Sequence, residues 1–131
     1  MLKRRNYSQL GLPAGPYVHA VKHQQTLYTS GFTAYGTSAQ NGTIEEQTRE
    51  IFKQLELIAR QEHSSLQQLI KVTLYVTDMS NIDGLRQALM TIYGDDLPAS
   101  SLIKVDALFL PELLIEVEAI LGTSKQPPTI N

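Results

Sequence analysis

The sequence predicts an α+β domain, a mixed sheet with two helices on one face. Three observations carry this reading. Residues 113–121 alternate strictly, so Leu113, Ile115, Val117, Ala119 and Leu121 share one apolar face while Glu116 and Glu118 fall together on the other. From Ile44 onward apolar residues recur at steps of three and four, the period of a helix with one buried stripe. Segments of the two periods follow one another in the order β-β-α-β-α-β-β. The 131 residues fit one domain, with 42% hydrophobic and 18% charged content in the ordinary globular range. The expected layout is a single domain over 1–122 and a flexible tail over 123–131, which carries Pro127-Pro128.

Each element has its own signal. Tyr17 to Lys22 and Thr26 to Gly31 read as an antiparallel hairpin around His23-Gln24-Gln25. Thr43 stands three residues before Glu46, the spacing of a capping box, and Ile44, Thr48, Ile51, Leu55 and Ile58 form the stripe of a helix running to about His63. A strand follows from Leu69 to Thr77, with Ile70, Val72, Leu74 and Val76 on its apolar face. The second helix begins near Ser80-Asn81, with Ser80 three residues before Asp83, and places Ile82, Leu85, Leu89 and Ile92 on one stripe; Gly94 stops it. Pro98 opens a strand over Ser100 to Val105, and the 113–121 strand closes the fold. Several strands pair a clean apolar face with a mixed one, so helices cover one side of the sheet and a subunit contact or a lined pocket is expected on the other.

Composition removes several function classes. A net charge of −2 and no basic stretch beyond Lys3-Arg4-Arg5 leave no electrostatic footprint for a phosphate backbone, so no nucleic-acid partner is expected. No apolar run approaches the roughly 20 residues of a membrane span, and the N-terminus lacks the apolar core of a signal peptide, so a soluble, cytoplasmic protein is expected. The chain has no cysteine and therefore no disulfide, thiol nucleophile or thiolate metal site. His19 and His23 lie four strand residues apart, roughly 13 Å, too far to share one ion from that segment, and no metal site is expected.

Gly15-Pro16-Tyr17, Thr29-Ser30-Gly31, Tyr75-Val76-Thr77-Asp78, Pro98-Ala99-Ser100-Ser101 and Ile115-Glu116-Val117-Glu118-Ala119-Ile120 occur in an order that resembles the Rid family, also called YjgF-like or L-PSP endoribonuclease. The resemblance spans residues 13–121, and the closing Ile-Glu-Val-Glu-Ala-Ile run is its most specific piece. It implies a chorismate-mutase-like fold, a homotrimer whose sheets form a central barrel, and small-molecule pockets at the subunit interfaces. It also implies hydrolysis of reactive enamines and imines to ketones or keto acids and ammonia, without metal or organic cofactor.

Carried over residue by residue, Tyr17, Ser30 and Glu116 match family pocket positions, and Gln87 falls where many members have Asn. Ser100 departs from the pattern, because members that deaminate imino acids have Arg there. A guanidinium grips a carboxylate through two parallel charge-assisted bonds that a serine hydroxyl cannot reproduce. Leu102 replaces a small position and makes the same wall more apolar. These changes point away from a standard imino acid, unless its carboxylate is met by another group such as Arg86 or Lys71. On this reading Glu116 orients or deprotonates a water, Tyr17 and Ser30 shape the pocket, and the pKa of Glu116 rises for want of a cationic neighbour.

The same residues have structural readings. Glu116 and Glu118 suit interface ion pairs, for instance with Lys104; Tyr17 suits a turn cover, Ser30 a hydroxyl bonded to backbone, and Gln87 a structural place on its helix. Three functions stay open: an enamine or imine deaminase, a metabolite-binding trimer without catalysis, and an endoribonuclease, the last opposed by the acidity of the chain.

Overall fold

A computed structural model describes residues 1–124 of the chain. Six strands form one mixed sheet: β1 (Leu2–Arg5), β2 (Ala20–His23), β3 (Thr26–Thr29), β4 (Leu69–Val76), β5 (Ala99–Lys104) and β6 (Ile115–Gly122). The helices are α1 (Ile44–Gln61) and α2 (Ile82–Tyr93). The spatial order is β1-β2-β3-β6-β4-β5; β4 and β5 run parallel, joined through α2, and every other pair is antiparallel. The last strand therefore lies in the middle of the sheet, where its two glutamates are held between β3 and β4.

The 113–121 alternation sorts as its pattern dictates. Ile115, Val117, Ala119 and Leu121 are buried together with Leu27 of β3 and Val72, Leu74 and Val76 of β4, all on the side covered by the helices. Leu113 is also buried, although it sits in a turn before β6 rather than in the strand. From α1, Ile44, Thr48, Ile51, Leu55 and Ile58 meet this face. Its N-terminus carries the full capping box, in which Thr43 Oγ1 accepts from Glu46 N–H and the Glu46 carboxylate accepts from Thr43 N–H. The Thr43 N–H, and then the Thr43 hydroxyl, hold the Glu46 carboxyl below the usual carboxylate range. Burying each Leu or Ile side chain contributes about 1.5–3 kcal/mol, so the sheet–helix seam is the main source of stability.

Four expectations are corrected. The expected order lacks a strand ahead of the hairpin, where Leu2–Arg5 forms the edge strand β1; its short Leu-Lys-Arg-Arg run has no apolar alternation to signal it. The hairpin begins at Ala20 rather than Tyr17, and its turn is Gln24-Gln25 with Gln24 at φ 57°. Ile70 does not join the apolar face: the register against β6 slips between Leu69 and Lys71, so Leu69 is buried and Ile70 faces out. Ser80 makes no capping box; its N–H and hydroxyl both donate to Asp78, and the preceding-residue position of α2 is Asn81, whose amide donates to Glu45 of α1. Gly94 ends α2 at φ 61°, a left-handed position suited to glycine. Thr123 and Ser124 are tied to the body through Thr123 N–H to Gln25 O and Ser124 hydroxyl to His63 O, and the rest of the expected tail, 125–131, lies outside the described residues. No described helix is long and apolar enough to cross a membrane.

Candidate functional site

The site begins with a fault in the pairing of β3 and β6. Tyr28 is opposite Ile120 and Phe32 is opposite Val117, so four steps on one strand face three on the other. This is a β-bulge at Thr29-Ser30-Gly31. The Thr29 hydroxyl takes the Ala119 N–H that a regular ladder would give to a carbonyl. Ser30 turns toward the preceding segment, its N–H donating to His19 O and its hydroxyl to Val18 O. Gly31 is then left beside Glu116, and a Cβ on Gly31 would run into the Glu116 carboxylate. Only glycine leaves room for that side chain to lie there.

Glu116 is half-buried on the uncovered face of the sheet, and no ion pair reaches it among the described residues. Burial, and then the neighbouring Glu118 charge, push its pKa up from the ordinary carboxylate value. The rise matches the expected direction, with desolvation and Glu118 as its causes. Within one chain Lys104 pairs with neither glutamate among the described residues. Glu118 instead accepts from the Tyr75 hydroxyl at 3.2 Å, and the same carboxylate raises the Tyr75 pKa after desolvation. Tyr75 stands opposite Glu116 in the β4–β6 register, so Tyr75, Glu116 and Glu118 form one polar cluster.

Of the other expected residues, Tyr17 and Ser30 border one open cavity of about 680 Å³, together with Arg4, Pro16, Val21 and Tyr28. Tyr17 Oη accepts from Ala14 N–H, closing its own loop, and the Ser30 hydroxyl is already spent on Val18 O. Both residues thus fill the structural places foreseen for them while also facing the cavity.

Gln87, Ser100 and Leu102 lie elsewhere in the chain. Ser100 and Leu102 stand opposite Val72 and Leu74 in a parallel ladder, which puts them on the helix side of the sheet at its edge. Glu116 is on the other side. Counting strand rise and strand spacing from Ser100 through Val72 and Ala119 to Glu116 gives roughly 14 Å between the Cα atoms. Gln87 is exposed on α2 and lines a separate recess of about 380 Å³ with Glu45, Arg49 and Thr91. One chain therefore does not bring the expected site residues together: Tyr17 and Ser30 border one cavity, Gln87 another, Ser100 and Leu102 stand on the helix side of β5, and Glu116 borders neither cavity.

Two supporting residues were not singled out from the sequence. Gly31 was quoted only as part of a motif, and its role needs the bulge to be seen. Gln47 is wholly buried on α1 and makes four hydrogen bonds: Nε2 donates to Gln40 O, Gly42 O and Glu112 O, and Oε1 accepts from Leu114 N–H at 2.9 Å. It fixes the chain two residues before Glu116. A buried polar residue on an otherwise apolar helix face was the available signal.

Comparison with known proteins finds relatives over most of the chain. Residues 9–122 match the family model described as Endoribonuclease L-PSP. A RutC family protein of Pyrococcus horikoshii is 31% identical over 111 residues, covering 82% of this chain and 87% of its own. The mitochondrial protein MMF1 of Saccharomyces cerevisiae is 28% identical over 110 residues, covering 82% of this chain and 76% of its own. The 2-iminobutanoate/2-iminopropanoate deaminase of Mus musculus is 28% identical over 109 residues, covering 81% and 80%. The crystal structure of yeast Mmf1 superposes with a TM-score of 0.84 at 26% identity, over 95% of this chain and 100% of that one. With the family model matched over residues 9–122, the chain belongs to the endoribonuclease L-PSP family, the Rid or YjgF family its motifs resemble.

Proposed function

We propose that this protein is a homotrimer that hydrolyses a reactive enamine or imine, with its pockets at the subunit interfaces. The observation that carries the reading is Glu116: a half-buried carboxylate with a raised pKa, held over a glycine on an uncovered sheet face, with no cation bound to it among the described residues. Such a group suits proton transfer near neutrality better than an ordinary surface carboxylate. The scatter of the expected residues supports the interface: Tyr17 and Ser30 border one cavity, Gln87 another, and Ser100 and Leu102 lie on the opposite side of the sheet from Glu116, so a pocket that uses them all needs a second copy.

In the proposed reaction an enamine first tautomerises to its imine. Glu116 takes a proton from a water as the water oxygen bonds to the imine carbon, and the imine nitrogen is protonated. Glu116 then gives its proton to the carbinolamine nitrogen, and collapse breaks the C–N bond as the hydroxyl proton returns to Glu116, giving a ketone and ammonia. Ser100 offers no guanidinium, so the substrate is one without a carboxylate. Arg4, beside Tyr17 and Ser30, is the cation that would serve an acid if that inference is wrong; Lys71 is on the same sheet face, opposite Ile120, and Arg86 is exposed on α2. Cytoplasmic residence is part of the reading, the mitochondrial relative gives the alternative, and fractionation of cells expressing the tagged chain separates them.

The test compares imines made in situ from an amine by an amine oxidase with imino acids made by an amino-acid oxidase, following the imine left for semicarbazide to trap. Faster loss of the amine-derived imine supports the reading. Faster loss of the imino acid by the natural chain, abolished by Arg4→Ala, would move the substrate class back to acids. Silence on both, with ligand binding intact, would favour a metabolite-binding trimer. The family description also names an endoribonuclease, and RNA cleavage by extensively purified protein that disappears in Glu116→Gln would favour that activity instead.

A further inference from the structure

A second cavity, of about 540 Å³, opens on the α1 side of the molecule between α1, the segment that leads to β2 and the loop after β3. It lies within the size range of small-molecule sites. Neither Glu116 nor Ser30 lines it. Gly31 and Tyr17 are its borders with the site described above, and its body is apolar, with Leu10, Pro13, Phe32 and Leu57 facing the exposed ring of Tyr35. The charged residues on its wall, Glu50 and Lys53, neutralise one another at 3.8 Å.

His19 is the feature that turns this space into a site. It lines the cavity, yet its side chain is only 4% exposed. The ring is fixed by stacking on Tyr7, with centroids 6.0 Å apart and planes 10° apart, and by Phe32 on its other flank at 5.8 Å. Nδ1 accepts the Tyr7 N–H at 3.0 Å, which places the proton of the neutral ring on Nε2. That Nε2–H has no acceptor among the described residues. That donor is not among the sealed, unpartnered polar atoms of the described residues, so it is accessible, and His19 lines the open cavity from which an acceptor can reach it. Burial lowers the His19 pKa, in keeping with a neutral ring. Gln54 supplies the complement: its Nε2 donates to Thr33 O, which leaves Oε1 as an acceptor on the same wall.

We propose that this cavity binds a small neutral molecule with an apolar or aromatic body and a carbonyl-type acceptor, which takes the His19 Nε2–H. A donor next to that carbonyl, as in a primary amide, meets Gln54 Oε1. The site adjoins the proposed deaminase site through Tyr17 and Gly31 but rests on His19 and Gln54, and it does not use Glu116.

Benzamide is a suitable probe, with ethylbenzene as a match in shape that lacks the acceptor. The imidazole nitrogen and ring-proton NMR signals of the full chain are followed during titration. Benzamide is expected to move the His19 Nε2–H signal and the Tyr35 ring saturably, with at least tenfold weaker binding of ethylbenzene. Leu57→Trp, which fills the cavity from α1 without touching His19, is expected to abolish both effects. No saturable shift, equal binding of the two probes, or shifts confined to Glu116 and Ser30 would overturn the proposal.

Discussion

Two carboxylates of this molecule, one in the N-terminal corner and one in the centre of the sheet, have opposite surroundings. Glu62, at the C-terminal end of α1, is 5% exposed and is met from three sides: the Tyr7 hydroxyl donates to it at 2.9 Å, Arg5 Nε stands at 3.2 Å and Lys22 Nζ at 3.9 Å. Its place beside the negative end of a helix would disfavour a lone carboxylate, and the two cations offset this. Tyr7 responds as expected, its pKa raised by burial and by the bond to Glu62. Glu116 has no such partners. Its nearest charge is another carboxylate, and its pKa is raised. The lesson is that a compensated buried charge pins β1 to the helix layer, while an uncompensated one marks the place where chemistry is expected.

The comparison predicts opposite effects of removing the two charges. Glu116→Gln should lower imine hydrolysis by about 100-fold or more while raising the melting temperature near neutral pH. The sign follows from linkage. A carboxyl whose folded-state pKa lies above its unfolded value carries no penalty below the unfolded value; the penalty grows as pH rises through the folded value and persists above it. The stability gain of Glu116→Gln should therefore vanish in acid, which denaturation curves across the carboxylate range would show. Glu62→Ala should do the reverse, leaving two cations without a partner and costing about 3 kcal/mol in chemical unfolding, with the fraying centred on β1 in hydrogen exchange.

Smaller changes sharpen the contrast. Gly31→Ala should displace the Glu116 carboxylate and reduce turnover by about 10–100-fold, with the melting temperature nearly unchanged because a flexible side chain absorbs the clash. Thr43→Ala removes half of the capping box and should cost about 1 kcal/mol in urea unfolding, with no effect on turnover. A turnover loss in Thr43→Ala as large as that in Gly31→Ala would mean that activity follows overall stability rather than the position of Glu116.

Most of the fold was legible because its signals are local. The α1 stripe, its capping box and the alternation around Glu116 each need only a few neighbouring residues. The misreadings involve residues whose partners are distant in sequence. Ile70 left the apolar face because of a register slip against β6, and β1 is held by pairing with β2 and by Glu62, which a basic tetrapeptide does not announce. The pKa rise of Glu116 was expected for want of a cation and comes instead from burial and Glu118, whereas the sheet face of Glu116 was readable from its parity. The bulge that places Gly31 beneath it was not, since it depends on how two remote strands miscount. Nor was the placement of Ser100 and Leu102 on the far side of the sheet, which only the β4–β5 register fixes. That placement makes a second copy a requirement of the proposed pocket, and for the proposed trimer sedimentation at micromolar concentration should show a species of three chains.

The most direct measurement is the pH dependence of amine-derived imine hydrolysis by the natural chain and by Glu116→Gln, each with its assembly verified. The natural chain should show an acid limb set by a carboxyl that titrates above the ordinary glutamate value, and Glu116→Gln should stay at the uncatalysed rate throughout. Equal rates and equal pH profiles for the two proteins would contradict the assignment of Glu116 as the working group.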